Sequence, residues 1–131
     1  MNTPCLNGKL ILVVDDEVNI LNALRRVLRP LGAELEVCLD PKDAITILTD
    51  RKVDVIISDY SMPGMTGLEL LARAKKLQPT AVRIMLTGFV DNLTAHQAET
   101  QGSVEHFITK PWDSDQLCHL LANILEKGAR A

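Results

Sequence analysis

Val53-Asp54-Val55-Ile56-Ile57-Ser58-Asp59-Tyr60-Ser61-Met62-Pro63-Gly64-Met65-Thr66-Gly67 is the stretch whose reading decides the fold. Its β-branched apolar run lacks polar alternation, which predicts a strand buried on both faces, the habit of parallel sheets covered by helices. The run ends on an acid, Asp59, and then breaks into turn chemistry at Met62-Pro63-Gly64. In open α/β sheets ligands gather outside the carboxyl ends of the strands, so a carboxylate there is placed for chemistry more often than for packing. Asp also favours turns and caps, and Asp59 alone does not separate the two readings.

Outward from this stretch the chain repeats the same order of strand, polar end and helix. Lys9-Leu10-Ile11-Leu12-Val13-Val14 predicts a first buried strand ending on Asp15-Asp16-Glu17, followed by a helix with Ile20, Leu21, Leu24, Val27 and Leu28 on one face. Pro30 stops that helix and Gly32 closes the turn. A more exposed second strand is expected over 34–39. Asp40-Pro41, a cap followed by proline at the first helical position, then opens a helix running to about Asp50. After the Asp59 loop, Gly67 begins a helix that Gln78-Pro79 ends, and Arg83-Ile84-Met85-Leu86-Thr87 is the fourth strand. Residues 88–101 predict a fourth helix with a thin apolar face. His106-Phe107-Ile108-Thr109 is a short fifth strand ending at Lys110-Pro111, and Ser114 or Asp113 caps a last helix through Leu125 that Gly128 ends. The expected domain map is a loose lead-in over 1–8, one folded unit over 9–127 and a tail over 128–131. Five alternations imply a doubly wound five-stranded parallel sheet, α/β in class, with right-handed crossovers and the strand order 2-1-3-4-5.

Composition narrows the function. The 131 residues are 47% hydrophobic and 24% charged with a net charge of −3, suited to one globular domain. No basic field is available for counterion release, so direct nucleic-acid binding is not expected. Cys5, Cys38 and Cys118 have neither an even count nor metal-ligand spacing, and His96, His106 and His119 show none either. The longest apolar run is too short for a membrane span or signal core, so a cytoplasmic location is expected.

Collecting the strand ends brings out the chemistry: Asp15 and Asp16 end the first strand, Asp59 the third, Thr87 the fourth and Lys110 the fifth. Strands one and three flank the point where sheet order reverses, so the three carboxylates should meet there. Their repulsion is relieved by a hard divalent cation, and magnesium suits a few carboxylates, a carbonyl and waters. Singly, each residue has a plainer reading: Asp15 and Asp16 as helix-terminal acids, Thr87 as a strand-end hydroxyl, Lys110 as a solvated lysine. Their joint placement favours a site for Mg2+ and a phosphoryl group.

These motifs resemble those of the receiver domains of two-component response regulators, a (βα)5 flavodoxin-like family, over nearly the whole chain. The likeness rests on Val13-Val14-Asp15-Asp16-Glu17, on Ser58 through Gly67, on Leu86-Thr87-Gly88 and on Phe107-Ile108-Thr109-Lys110-Pro111. The resemblance implies that Asp59 accepts phosphate from a sensor histidine kinase or phosphotransfer protein. It implies that Asp16 binds Mg2+ directly, that Asp15 does so through water, and that Asp59 and the Ser61 carbonyl complete the protein ligands. Lys110, aimed by a cis bond to Pro111, would pair with a phosphate oxygen. Thr87 would hydrogen-bond the phosphoryl group and Phe107 would turn as the switch aromatic. Ser61 and Phe89 would flank the path of hydrolytic water.

The resemblance further implies a chain that is no conventional enzyme but catalyses its own phosphorylation and slow autodephosphorylation. The surface of fourth helix, fifth strand and fifth helix, with Trp112 as an exposed aromatic anchor, would control an output domain or partner, with homodimerisation as one form of output. Only residues 126–131 follow the last helix, so output through protein contact or a segment outside this stretch is expected. Lys110-Pro111-Trp112 and the first helix resemble receivers joined to cyclic-dinucleotide phosphodiesterases. A haloacid-dehalogenase-type phosphatase would place its nucleophile on the first strand as D-x-D, whereas Asp15 and Asp16 are adjacent. A flavodoxin-like cofactor binder would need a Gly/Ser/Thr loop where three acids stand. The remaining alternative is a degenerate receiver acting only as a docking module, separable by Mg2+-dependent labelling.

Overall fold

The computed structural model describes residues 8–88, 103–110 and 112–130, with side chains of the last helix described as far as Leu125. Strands β1 (Leu10–Val14), β2 (Glu34–Cys38), β3 (Val55–Asp59), β4 (Val82–Thr87) and β5 (His106–Thr109) form one sheet in the order β2-β1-β3-β4-β5. Every described pairing is parallel, which bears out the doubly wound order expected from the alternation.

The alternation of side chains across each strand divides the core in two. Leu10, Leu12 and Val14 of β1, Ile56 of β3 and Met85 of β4 pack with Ala44 and Leu48 of helix α2 (Pro41–Asp50) and with Leu70, Leu71 and Ala74 of helix α3 (Gly67–Leu77). Ile11, Val13, Val55, Ile57, Ile84 and Leu86 point the other way, against Leu21, Leu24 and Leu28 of helix α1 (Val18–Leu28) and Leu117, Leu121 and Leu125 of the C-terminal helix (Ser114–Arg130). Burial on both faces is why β1 and β3 carry no polar alternation; each such side chain contributes roughly 1.5–3 kcal/mol.

Local signals set the helix ends. Pro30 turns the end of α1 into a single 3-10 turn, and Gly32 takes the left-handed conformation at φ 82°. Asp40 caps α2 by accepting from the Lys42 amide at 2.9 Å. Thr66 and Glu69 form a reciprocal capping box at the start of α3. At the last helix Asp113, not Ser114, is the cap, its Oδ1 accepting from the Gln116 amide at 3.1 Å.

Some expected boundaries shift. The C-terminal helix does not stop at Gly128 but continues to Arg130. β3 begins with the expected run at Val55; ahead of it the Asp54 carboxylate accepts from the Leu10 amide at 2.8 Å and the Val53 amide donates to Gln78. β2 ends at Cys38, leaving Leu39 half exposed in the turn. Cys38 and Cys118 are free thiols, and burial pushes that of Cys38 up to about 11. The expected helix over 88–101, with Phe89 and His96, the cis bond at Pro111, Cys5 and the lead-in over 1–7 lie outside the described residues. Among the described residues no helix is long and apolar enough to cross a membrane.

Candidate functional site

Strand register assembles the site. Val14 pairs with Ser58, so the next residues, Asp15 and Asp59, leave the sheet side by side. Asp59 pairs with Leu86, one residue before Thr87, and Thr87 pairs with Thr109, one residue before Lys110. The Lys110 amide then donates to the Thr87 carbonyl at 2.9 Å. Side chains separated by 51 and 95 positions in the chain meet at one edge of the sheet.

At the centre, the Lys110 ammonium donates to Asp59 Oδ1 at 2.8 Å and to Asp15 Oδ2 at 3.3 Å. Asp15 is fully buried and Asp59 is 6% exposed, so this one cation is shared between two carboxylates that water scarcely reaches and offsets half of their charge. The other oxygen of Asp15 accepts from the Glu17 amide at 2.9 Å. Burial, reinforced by the charge of Asp59, still raises the Asp15 carboxyl above its ordinary range, despite that hydrogen bond and Lys110. Burial works against the charge of Lys110, but its hydrogen bond to Asp59 and the charge of Asp15 prevail and hold its ammonium above the usual value.

Asp16 and Glu17 stand exposed at the rim. Ligand oxygens of Asp15, Asp16 and Glu17 lie within 4.8 Å of one another, making an acidic group suited to a hard cation. Asp59 is not part of that group; it faces Lys110. Glu17 is the residue whose part in the cluster the sequence reading did not single out, although it continues the acidic triplet. Ser61 is exposed two residues beyond Asp59, and Thr87 is buried at the end of β4. An all-oxygen, anionic donor set with an open rim fits a divalent cation such as Mg2+.

The backbone behind Asp59 is closely backed. The Gly67 amide donates to the Tyr60 carbonyl at 2.7 Å, and a Cβ on Gly67 would collide with the Asp59 carbonyl oxygen. Helix α3 therefore starts against the phosphoacceptor candidate only because residue 67 has no side chain. Phe107 pairs with Met85, so it shares the face of Thr87 two residues farther along the neighbouring strand. Trp112 is not the exposed anchor expected from the sequence. It is half-buried against the core, where its large ring has apolar surface to cover, and it lines with Phe107, Leu117 and Leu120 a surface cavity of about 330 Å3. His106 is half-buried at the start of β5, and His119 is exposed.

Residues 11–122 match the family pattern of the response regulator receiver domain. The chain belongs to this family. Among relatives of this receiver domain, the hydrogenase transcriptional regulatory protein HoxA of Bradyrhizobium diazoefficiens is 38% identical over 109 residues, 82% of this chain and 22% of that protein. The cyclic di-GMP phosphodiesterase response regulator RpfG of Xanthomonas campestris is 33% identical over 122 residues, 91% of this chain and 32% of that protein. The signal receiver domain of an HD domain-containing protein from Pseudomonas fluorescens superposes with a TM-score of 0.87 at 35% identity, covering 94% of this chain and 98% of that one. The receiver domain thus spans between about a fifth and a third of the length of these two curated relatives.

Proposed function

We propose that this receiver domain accepts a phosphoryl group on Asp59 from a sensor histidine kinase or phosphotransfer protein and thereby controls an output domain or partner. The observation that carries the reading is the Lys110 ammonium held 2.8 Å from Asp59 at the carboxyl edge of the sheet. An Asp59 oxygen attacks the phosphorus in line, the new O–P bond forming as the P–N bond of the donor phosphohistidine breaks. The imidazole nitrogen keeps the bonding pair and takes up a proton. Lys110 stays charged throughout and offsets the charge on a phosphoryl oxygen, and the Thr87 hydroxyl donates to another.

Asp15, Asp16, Asp59 and the Ser61 carbonyl are the proposed holders of Mg2+, with Glu17 at the rim of the same acidic group. When bound, Mg2+ supplies the positive charge that lets the donor phosphate approach these acids. Water attack on the acyl phosphate releases inorganic phosphate and restores Asp59, with Ser61 beside its path. Output is assigned to the surface containing Phe107, β5 and the C-terminal helix. The names of the relatives span transcriptional regulation and a cyclic di-GMP phosphodiesterase, so the output is proposed as a partner or appended domain of either kind.

Treatment with acetyl phosphate, with and without Mg2+, followed by mass spectrometry tests the reading. One phosphoryl group should appear, only with Mg2+, and Asp59→Asn should abolish it. Wild-type yield in Asp59→Asn would sink the assignment, and Mg2+-independent absence of labelling would favour a docking module.

A further inference from the structure

Arg83 is charged yet only 5% exposed, in a strand whose other side chains are apolar except for Thr87. Burying a guanidinium is costly unless its donors are satisfied, and here they are aimed at two separate segments. Nη1 donates to the Ala81 carbonyl at 2.9 Å, in the turn that leads into β4. Nε donates to the carbonyl of the buried Ser103 at 3.0 Å, and Nη2 pairs with Glu105 Oε1 at 3.1 Å. The Glu105 amide donates back to the Arg83 carbonyl at 2.8 Å. Arg83 thus grips both the backbone and a side chain of the residues leading into β5.

β5 needs such a grip. Among the described residues it is an edge strand of four residues, none of them fully buried, paired only with β4. Short, half-exposed strands specify register weakly, and a slip of one residue sends every side chain to the opposite face. Lys110 follows the last residue of that strand. A slip would present Thr109 or Pro111 to Asp15 and Asp59 in its place.

We propose that Arg83 is a positioning residue for Lys110: by clamping Ser103 and Glu105 it locks the β5 register that delivers the ammonium to Asp59. The inference rests on the reading of Lys110 as the group that meets the phosphoryl oxygens. It separates two properties of the site. The acids that hold Mg2+ come from β1, β3 and their loops, whereas the phosphoryl contact comes from β5.

Arg83→Met keeps the bulk and removes the donors. Calorimetric titration with Mg2+ alone, and with beryllofluoride in the presence of saturating Mg2+, reads the two properties separately, and amide NMR shifts of residues 105–110 report register. Arg83→Met should weaken beryllofluoride binding by about ten- to a hundredfold, the cost of a displaced contact group, while leaving Mg2+ affinity undiminished. Glu105→Gln, at a half-exposed position with little risk to folding, should give a smaller loss in the same direction, and Arg83→Lys a partial recovery. Should Arg83→Met fail to fold, Glu105→Gln and Arg83→Lys carry the test on the same criterion. Wild-type beryllofluoride affinity, or an equal loss of Mg2+ and beryllofluoride affinity, overturns the proposal. Lys110→Met serves as the control: if it binds beryllofluoride normally, the reading of Lys110 itself fails. If it is impaired while the Arg83 and Glu105 variants are normal, only the role of Arg83 fails.

Discussion

Replacing Lys110 by Met keeps its aliphatic bulk and removes the one charge that the described residues place between Asp15 and Asp59. Deleting one partner of a buried ion pair costs 3–5 kcal/mol; the lysine side chain is 19% exposed against 1% and 9% for its partners, so about 3 kcal/mol is expected at neutral pH without divalent cation. For a domain of this size that is a fall of about 10 °C in melting temperature. Two signs follow. The Asp15 carboxyl is already raised above its ordinary 3.8, so the folded state takes up its proton more readily than the unfolded state, and ionised Asp15 costs stability above that value. Without Lys110 this burden grows, and the deficit of the variant should shrink as pH falls from 7.5 towards 5. Conversely, the wild-type ion pair contributes fully below the ordinary lysine value of 10.5 and is lost as pH rises through the raised folded value. Mg2+ should replace the missing charge, restoring about 2.7 kcal/mol at a hundredfold excess over its dissociation constant, and at equal Mg2+ concentration the variant should gain more than the wild type because it binds the cation more tightly. Thermal melts in EDTA and in Mg2+, at both pH values, measure all of this. A variant that melts with the wild type in EDTA, or whose deficit deepens on acidification, would refute the reasoning.

Asp16→Asn should lose the Mg2+-induced stabilisation, roughly 1–3 kcal/mol and read as a rise in melting temperature, while the cation-free protein becomes no less stable, because the change removes repulsion along with a ligand. Equal shifts in the two proteins would be incompatible with the site. Gly67→Ala should cost about 1–3 kcal/mol in urea denaturation and weaken beryllofluoride binding, since the new methyl must push α3 off the Asp59 backbone. Gly64→Ala is its contrast, with no atom near the added carbon and only a φ of +83° to disfavour it; a Gly67 variant no more disturbed than this one would contradict the packing argument. Trp112 is the only tryptophan, and its emission should change on adding Mg2+ and beryllofluoride. The change should shrink in Thr87→Ala if the Thr87 hydroxyl links the phosphoryl group to the Phe107 face, and an undiminished change would break that link.

Much of the molecule was legible in the chain because its signals are local. Short apolar runs rich in β-branched residues and without polar alternation favour strands covered on both sides, as β1 and β3 are. Pro30, Asp40-Pro41, Thr66 with Glu69, and Pro79 mark helix ends through constraints that act within a turn. The order of elements then placed Asp15, Asp59, Thr87 and Lys110 on one edge, since parallel strands share a carboxyl end. Which groups actually touch was a tertiary matter. Successive residues leaving a strand point to opposite sides, and that separated buried Asp15 from exposed Asp16. Lys110 reaches both Asp15 and Asp59 only because three registers agree. Gln78, unremarkable in sequence beyond ending a helix, accepts from the Val53 amide and donates to the Leu48 and Arg51 carbonyls, tying α2, α3 and the approach to β3 together. Arg83 reads as a strand residue and proves to be a buried clamp. Such contacts join positions tens of residues apart and leave no period in the sequence, so they exist only once packing has fixed distance and direction.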